Sequence, residues 1–110
     1  MICDRHDVVV IPFPFAEIPV LKRRPSVVLS GRSFNDLNQS TLVAMITSST
    51  GSAWPSDVVL KNLIAAGLLV PCRVRWRLTT IPNALIVRRL GKLDAFDRLS
   101  CEREFANMIS

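Results

Sequence analysis

This chain is poor in the residues that many active centres need. It has one histidine, His6, and three cysteines, Cys3, Cys72 and Cys101, among 110 residues. The cysteines are odd in number, far apart and form no Cys-x-x-Cys pair, so neither a disulfide framework nor a zinc site is supported. A lone histidine weakens a metal centre further, and no metal or cofactor is expected. No apolar run approaches membrane-spanning length, and the start has no basic region followed by an apolar signal segment. The expected setting is a reducing cytoplasm with no membrane partner. Low-complexity tracts are also missing, which argues against disorder, and no internal repeat is visible.

Carboxylates are missing from one long stretch. None occurs between Asp57 and Asp94, whereas Lys61, Arg73, Arg75, Arg77, Arg88, Arg89 and Lys92 all lie there. The net charge of +5 and pI near 9.9 point to a polyanionic partner, either nucleic acid or an acidic protein. The chain is 49% hydrophobic, so residues 1–110 are read as one domain with a real core.

The most informative stretch is Lys22-Arg23-Arg24-Pro25 running into Ser26-Val27-Val28-Leu29-Ser30. Proline fixes its own φ, holds the preceding residue extended and has no N–H for a ladder, so it suits the first position of a strand. The expectation is that Arg24 projects from the rim of a β core, with Lys22 and Arg23 just before it. A guanidinium bonds phosphate oxygens bidentately and stays charged at any useful pH, so Arg24 is placed to clamp a phosphodiester. A surface arginine near a strand start is the equally weighted bland reading.

Around it, Asp7 to Phe13 reads as a first strand and residues 15–22 as a loop carrying Glu17. Gly31 to Gln39 reads as a polar turn, and Thr41 to Thr47 as a central strand ending in the hydroxyls of Thr47 and Ser48. Asp57 to Leu60 is a short strand. Lys61 to Ala66 follows as a helical turn stopped by Gly67. Cys72 to Thr80 alternates, with Arg73, Arg75 and Arg77 on one face and Cys72, Val74, Trp76 and Leu78 on the other. Leu85 to Leu90 is a last strand ending at Gly91. Asp94 then caps a helix whose Phe96, Leu99, Phe105, Met108 and Ile109 are expected to lie on the sheet. Short strands followed by one helix suggest a small, strongly bent β barrel.

The arginine face can follow a single-stranded backbone, or it can be a solvated edge that discourages aggregation. Trp76 is expected in the core. Trp54, between Ala53 and Pro55 in a loop, is the better candidate for stacking on a base, against a tryptophan folded back onto the barrel. His6 and Glu17 are candidate acid–base groups, although a histidine near a terminus is more often incidental.

The order of motifs resembles the MazF/PemK family of toxins from bacterial toxin–antitoxin modules, over essentially the whole chain. The segments that carry it are Asp7–Phe13, Arg23–Ser30, Val43–Ser48 and Val74–Ile81. The resemblance implies an SH3-like barrel of the MazF/CcdB/Kid type and a homodimer. It also implies metal-independent cleavage of single-stranded RNA and inhibition by a cognate antitoxin. On the matching motifs it implies that Arg24 and Thr47 are catalytic and that Arg75 is a further basic position. Lys22, Arg23, Arg73, Arg77, Ser48 and Trp54 are the other expected RNA contacts. The chain departs from the family pattern at His6, where glycine is usual, and at Pro82, where aspartate is usual. No acidic residue of the motif matches near Arg75. A gyrase-binding toxin of the CcdB type and a nucleic-acid-binding barrel with lapsed catalysis stand as alternatives.

Overall fold

The computed structural model describes residues 1–13, 22–49 and 51–110, with backbone alone at Phe13 and Lys22. The strands are β1 (Asp7–Phe13), β2 (Lys22–Val28), β3 (Ser40–Ser48), β4 (Val58–Val59), β5 (Cys72–Pro82) and β6 (Arg88–Lys92). The helices are α1 (Arg32–Asn38), α2 (Leu63–Ala66) and α3 (Ala95–Ile109), with a 3₁₀ turn at Asn83–Leu85. The strands form one antiparallel sheet in the order β4-β5-β3-β2-β1-β6, curled into a half-barrel.

β1 and β3 carry apolar residues on both faces because the curled sheet is covered on both. On one face Val8, Val27, Ala44, Ile46, Val74 and Trp76 form a core with Leu93 and Cys101. On the other, Val9, Ile11, Val28, Val43 and Met45 pack with Cys3, Ile81 and Ile86. Burying one such side chain is worth about 1.5–3 kcal/mol, so these two layers dominate the stability.

The polar segment after β2 is a helix, not a turn. Its composition is neutral towards helix, and the tertiary bonds of Asn35 decide the matter. Asn35 is fully buried, its amide donates to the carbonyls of Cys3 (3.0 Å) and Ser30 (3.2 Å), and Ser30 Oγ donates to its Oδ1 at 2.5 Å. Gln39 then ends α1 in the left-handed region, with φ 51. Asn83 extends the network, donating to the Asn35 carbonyl at 2.7 Å and accepting from Thr41 Oγ1 at 2.6 Å.

Three other expectations shift. Pro25 is the fourth residue of β2, not the first. The β2–β3 ladder stops at Ser26, so beyond it β2 is an edge on that side, where a residue without an N–H is tolerated. The last strand is Arg88–Lys92, not Leu85–Leu90, and Gly91 lies inside it. There the glycine serves close approach, since a Cβ on it would lie 2.3 Å from the Ala65 carbonyl oxygen of α2. α2 itself ends at Gly67 (φ 73), as its sequence predicts.

Asp94 caps α3 as expected, accepting from the Asp97 N–H at 2.9 Å. The expected apolar stripe does not dock. Phe96, Leu99, Met108 and Ile109 are exposed, and the inward face of α3 instead carries Asp97 and Cys101, with Phe105 beside Trp76. The buried Asp97 carboxylate accepts backbone N–H bonds from Lys61 (2.9 and 3.0 Å) and Asn62 (2.9 Å), tying α3 to the start of α2. That polar tie rotates the helix away from the stripe.

Candidate functional site

The register of three strands assembles a polar corner. Ser26↔Met45 is the last pair of the β2–β3 ladder, and Arg24 and Thr47 stand two residues beyond it on the two strands. They therefore share a face at the point where β2 and β3 part. Thr47 in turn opposes Arg73 of β5, and Met45 opposes Arg75. Arg24, Thr47, Arg73 and Arg75 thus lie on one face across three strands, about 10 Å from end to end at ordinary strand spacing. Arg24 and Thr47 are half-buried.

The three β5 arginines are not an open row. Arg73 is buried, donates from Nη2 to the Ser49 carbonyl, and holds Asp57 Oδ2 at 3.5 Å from Nη1. Arg75 grips Asp57 with two bonds, Nε to Oδ1 at 3.3 Å and Nη2 to Oδ2 at 2.9 Å, and also donates to the Ser52 carbonyl at 2.5 Å. Arg77 alone is exposed. The physical reason is a bulge: Met45 pairs with Arg75 and the adjacent Ala44 with Leu78, so Trp76 and Arg77 are extra residues on β5. A bulge bends its strand and re-aims a side chain. Here it keeps Trp76 in the core and sends Arg77 outward.

Asp57 is the carboxylate that the sequence reading missed. Val58 pairs with Val74, so the residue before β4 falls opposite Arg75. The signal was its position as the last acid before the acid-free stretch. Burial alone would raise its carboxyl, but the Arg75 bonds, the Trp54 N–H and the charges of Arg75 and Arg73 together hold it below the usual carboxylate range. It is ionised at neutral pH, and three guanidiniums to one carboxylate leave the corner cationic.

The two tryptophans divide as expected. Trp76 is buried, donates from Nε1 to the Ser56 carbonyl at 2.8 Å and packs on Phe105 at 6.0 Å between ring centroids. Trp54 is exposed at 37%, with the guanidiniums of Arg75 and Arg77 at 5.1 and 5.3 Å from its ring centroid.

Other expected site residues fall elsewhere. Arg23 is exposed, and strand alternation turns it to the face opposite Arg24. Ser48 is exposed at the end of β3, also on the face opposite Thr47. Lys22 is in β2, its side chain outside the described set, and Glu17 lies outside the described residues. His6 precedes β1 at the end away from Ile11, the residue paired with Arg24, so the fold does not bring it to the corner. It is buried, with Nε2 3.5 Å from Glu102 Oε1, and desolvation, reinforced by Arg5, lowers its pKa to about 4. Its φ of 73 is a left-handed conformation that glycine adopts freely, which accounts for the glycine usual at this place. Pro82, exposed, closes β5 opposite Ser40.

The half-barrel with its C-terminal helix is the fold of MazF-type toxins. A MazE–MazF crystal structure from Deinococcus radiodurans superposes with a TM-score of 0.76 at 15% identity, covering 100% of this chain and 97% of that one. An endoribonuclease in complex with its cognate antitoxin, from a mycobacterial species, gives 0.75 at 13% identity, covering 98% and 93%. The Mycobacterium tuberculosis toxin MazF-mt6 gives 0.74 at 21% identity, covering 94% and 95%. No curated protein sequence matches the chain. Residues 4–109 match the family of PemK-like, MazF-like toxins of type II toxin–antitoxin systems, and the chain belongs to that family. Among the described residues, no helix is long and apolar enough to cross a membrane.

Proposed function

We propose that this toxin is a metal-independent endoribonuclease that cuts single-stranded RNA, and that Arg24 and Thr47 act on the scissile phosphate. The observation that supports it most is the shared face of Arg24 and Thr47 where β2 and β3 part, with cationic β5 beside them. In the proposed step the RNA 2′-oxygen attacks the adjacent phosphorus and the bond to the 5′-oxygen breaks. The 2′-hydroxyl proton ends on the departing 5′-oxygen, leaving a cyclic phosphate and a 5′-hydroxyl. Arg24 neutralises the charge that builds on the phosphorane oxygens, and Thr47 donates a hydrogen bond to one of them.

An arginine is a poor proton acceptor because its guanidinium stays protonated at any useful pH. His6 is at the wrong end of β1, so we assign the base to Glu17, in the segment that leads to Arg24. Glu17→Gln should remove the acid limb of the pH–rate profile; an unchanged limb sinks that assignment.

Relatives of this fold solved with antitoxins support a cognate antitoxin as partner. Its form, in our reading, is an acidic segment that folds onto the cationic face of a toxin homodimer. The decisive assay uses a long single-stranded RNA with and without EDTA, with Arg24→Ala and Thr47→Ala alongside. Discrete cuts that survive EDTA and fall about 10²–10³-fold in Arg24→Ala are expected. Intact RNA would select the gyrase-binding or lapsed-enzyme alternatives, and binding that falls steeply with salt would separate the latter.

A further inference from the structure

Ser49 and residues 51–57 are held to β5 by charge-assisted anchors. Arg73 holds the Ser49 carbonyl, Arg75 holds the Ser52 carbonyl, and Asp57 closes the segment by accepting from Arg75 and from the Trp54 N–H at 3.0 Å. Both guanidiniums are thereby tethered to the protein's own loop and to Asp57. What the anchors present outward is Trp54 with the exposed Arg77 against it. The bulge that projects Arg77 and the loop that carries Trp54 meet on the face of β5 that continues from Thr47.

We propose that Trp54 and Arg77 form a stacking subsite for one nucleobase of a single-stranded RNA, and that Asp57 is the residue that positions it. Unpaired bases stack on aromatic rings and on guanidinium planes, and every base offers a π face. Buried Trp76 shows what a packing tryptophan looks like in this molecule: its indole N–H is bonded and its ring covered. Trp54 lacks that depth, being exposed at 37%, and the guanidiniums of Arg75 and Arg77 lie over its ring. Holding the indole in place before RNA arrives reduces the ordering cost of binding. Arg77 supplies the exposed positive charge that draws the adjoining phosphate. The RNA in question rests on the ribonuclease reading above; the stacking chemistry does not.

The test measures binding and cutting separately. The binding probe is a fluorescent single-stranded oligonucleotide with 2′-deoxy sugars, which cannot undergo 2′-oxygen attack; the cutting substrate is its all-RNA counterpart. Trp54→Ala should weaken binding about 5- to 150-fold, and in the cutting assay the loss should fall on KM more than on kcat. Trp54→Phe should restore most of it. Bound oligonucleotide should quench the emission of Trp54, with the buried Trp76 serving as the silent reference. Asp57→Asn should change Trp54 emission in the free protein and raise KM without matching the kcat loss of Arg24→Ala. If the wild type cuts RNA and Trp54→Ala leaves KM and cut sites as they were, the subsite is overturned and the ribonuclease reading stands. If the wild type leaves RNA intact but binds the probe through Trp54, the subsite stands and the nuclease reading falls. If the probe does not bind and RNA is left intact, both are overturned.

Discussion

The two ends of β3 are both polar, and they are built on opposite principles. At its start, Thr41, Asn83, Asn35 and Ser30 form a network of neutral, mostly buried groups in which each donor meets an acceptor. At its finish, about 20 Å away by strand rise, Thr47 faces the charged set of Arg73, Arg75 and Asp57. That set has more cations than anions and opens to solvent through Arg77 and Trp54. A saturated neutral network has nothing left to offer a ligand and serves to fix the fold. A charged cluster with unbalanced cations keeps a reserve for an anion. The same strand therefore carries architecture at one end and chemistry at the other.

The largest effect tests the architectural end. Asn35→Ala removes three side-chain bonds at a fully buried position and should cost about 4 kcal/mol in urea unfolding, because Cys3 and Ser30 are left with unmet polar atoms. A loss below about 1 kcal/mol would show that the network is ornamental. Next comes pH, where the two ends should separate. His6, beside Val28 through a 2.7 Å backbone bond, has its folded pKa lowered from 6.5 to about 4. The unfolded chain therefore binds the proton more readily, and stability rises with pH between about 4 and 6.5, by roughly 3 kcal/mol at most. His6→Asn, which tolerates the left-handed backbone, should flatten that rise. Asp57 is also depressed, so its contribution is kept above 3.8 and is lost only at more acid pH.

At the charged end, Arg73→Ala should cost about 1–2 kcal/mol, less than Asn35→Ala, since Arg75 still holds Asp57. A reversed order in paired denaturation curves would break the comparison. The smallest effect is the most specific. Arg77→Ala should lower the slope of log affinity for single-stranded RNA against log salt by about 0.7, the value of one phosphate contact, whereas Arg73→Ala leaves the slope alone. Equal slopes for the two variants would mean that Arg73 abandons its loop to bind RNA.

Much of the fold was legible where a local signal decides it. The valines of β1, the apolar run of β3, Gly67 after α2 and Asp94 before α3 each act through their immediate neighbours. The pairing of Arg24 with Thr47 was reached through motif resemblance, and the strand register gives it a geometric basis. What escaped depends on distant partners. α1 forms because Asn35 reaches Cys3, 32 residues away in the chain. Asp57 finds Arg75 only once β4 is laid against β5, so an acid-free segment in the sequence hides an ion pair in the fold. Gly91 reads as a stop when it is a contact with α2. Alternation placed Arg73, Arg75 and Arg77 together, and a two-residue bulge, invisible in the residue types, separated the third from the others.

The place of β1 between β2 and β6 has a consequence for how the protein is made. β2 follows β1 closely in the chain and covers one of its edges, but the strand that covers the other edge begins at Arg88. At ordinary rates of synthesis that strand arrives about 4–15 s later. For that interval the run Val8-Val9-Val10-Ile11 presents an open hydrogen-bonding edge, a template for pairing with another chain. The nascent toxin is therefore open to edge pairing until β6 has been made. Arg88, Arg89 and Lys92, carried by the strand that closes the edge, then leave charge on the finished rim.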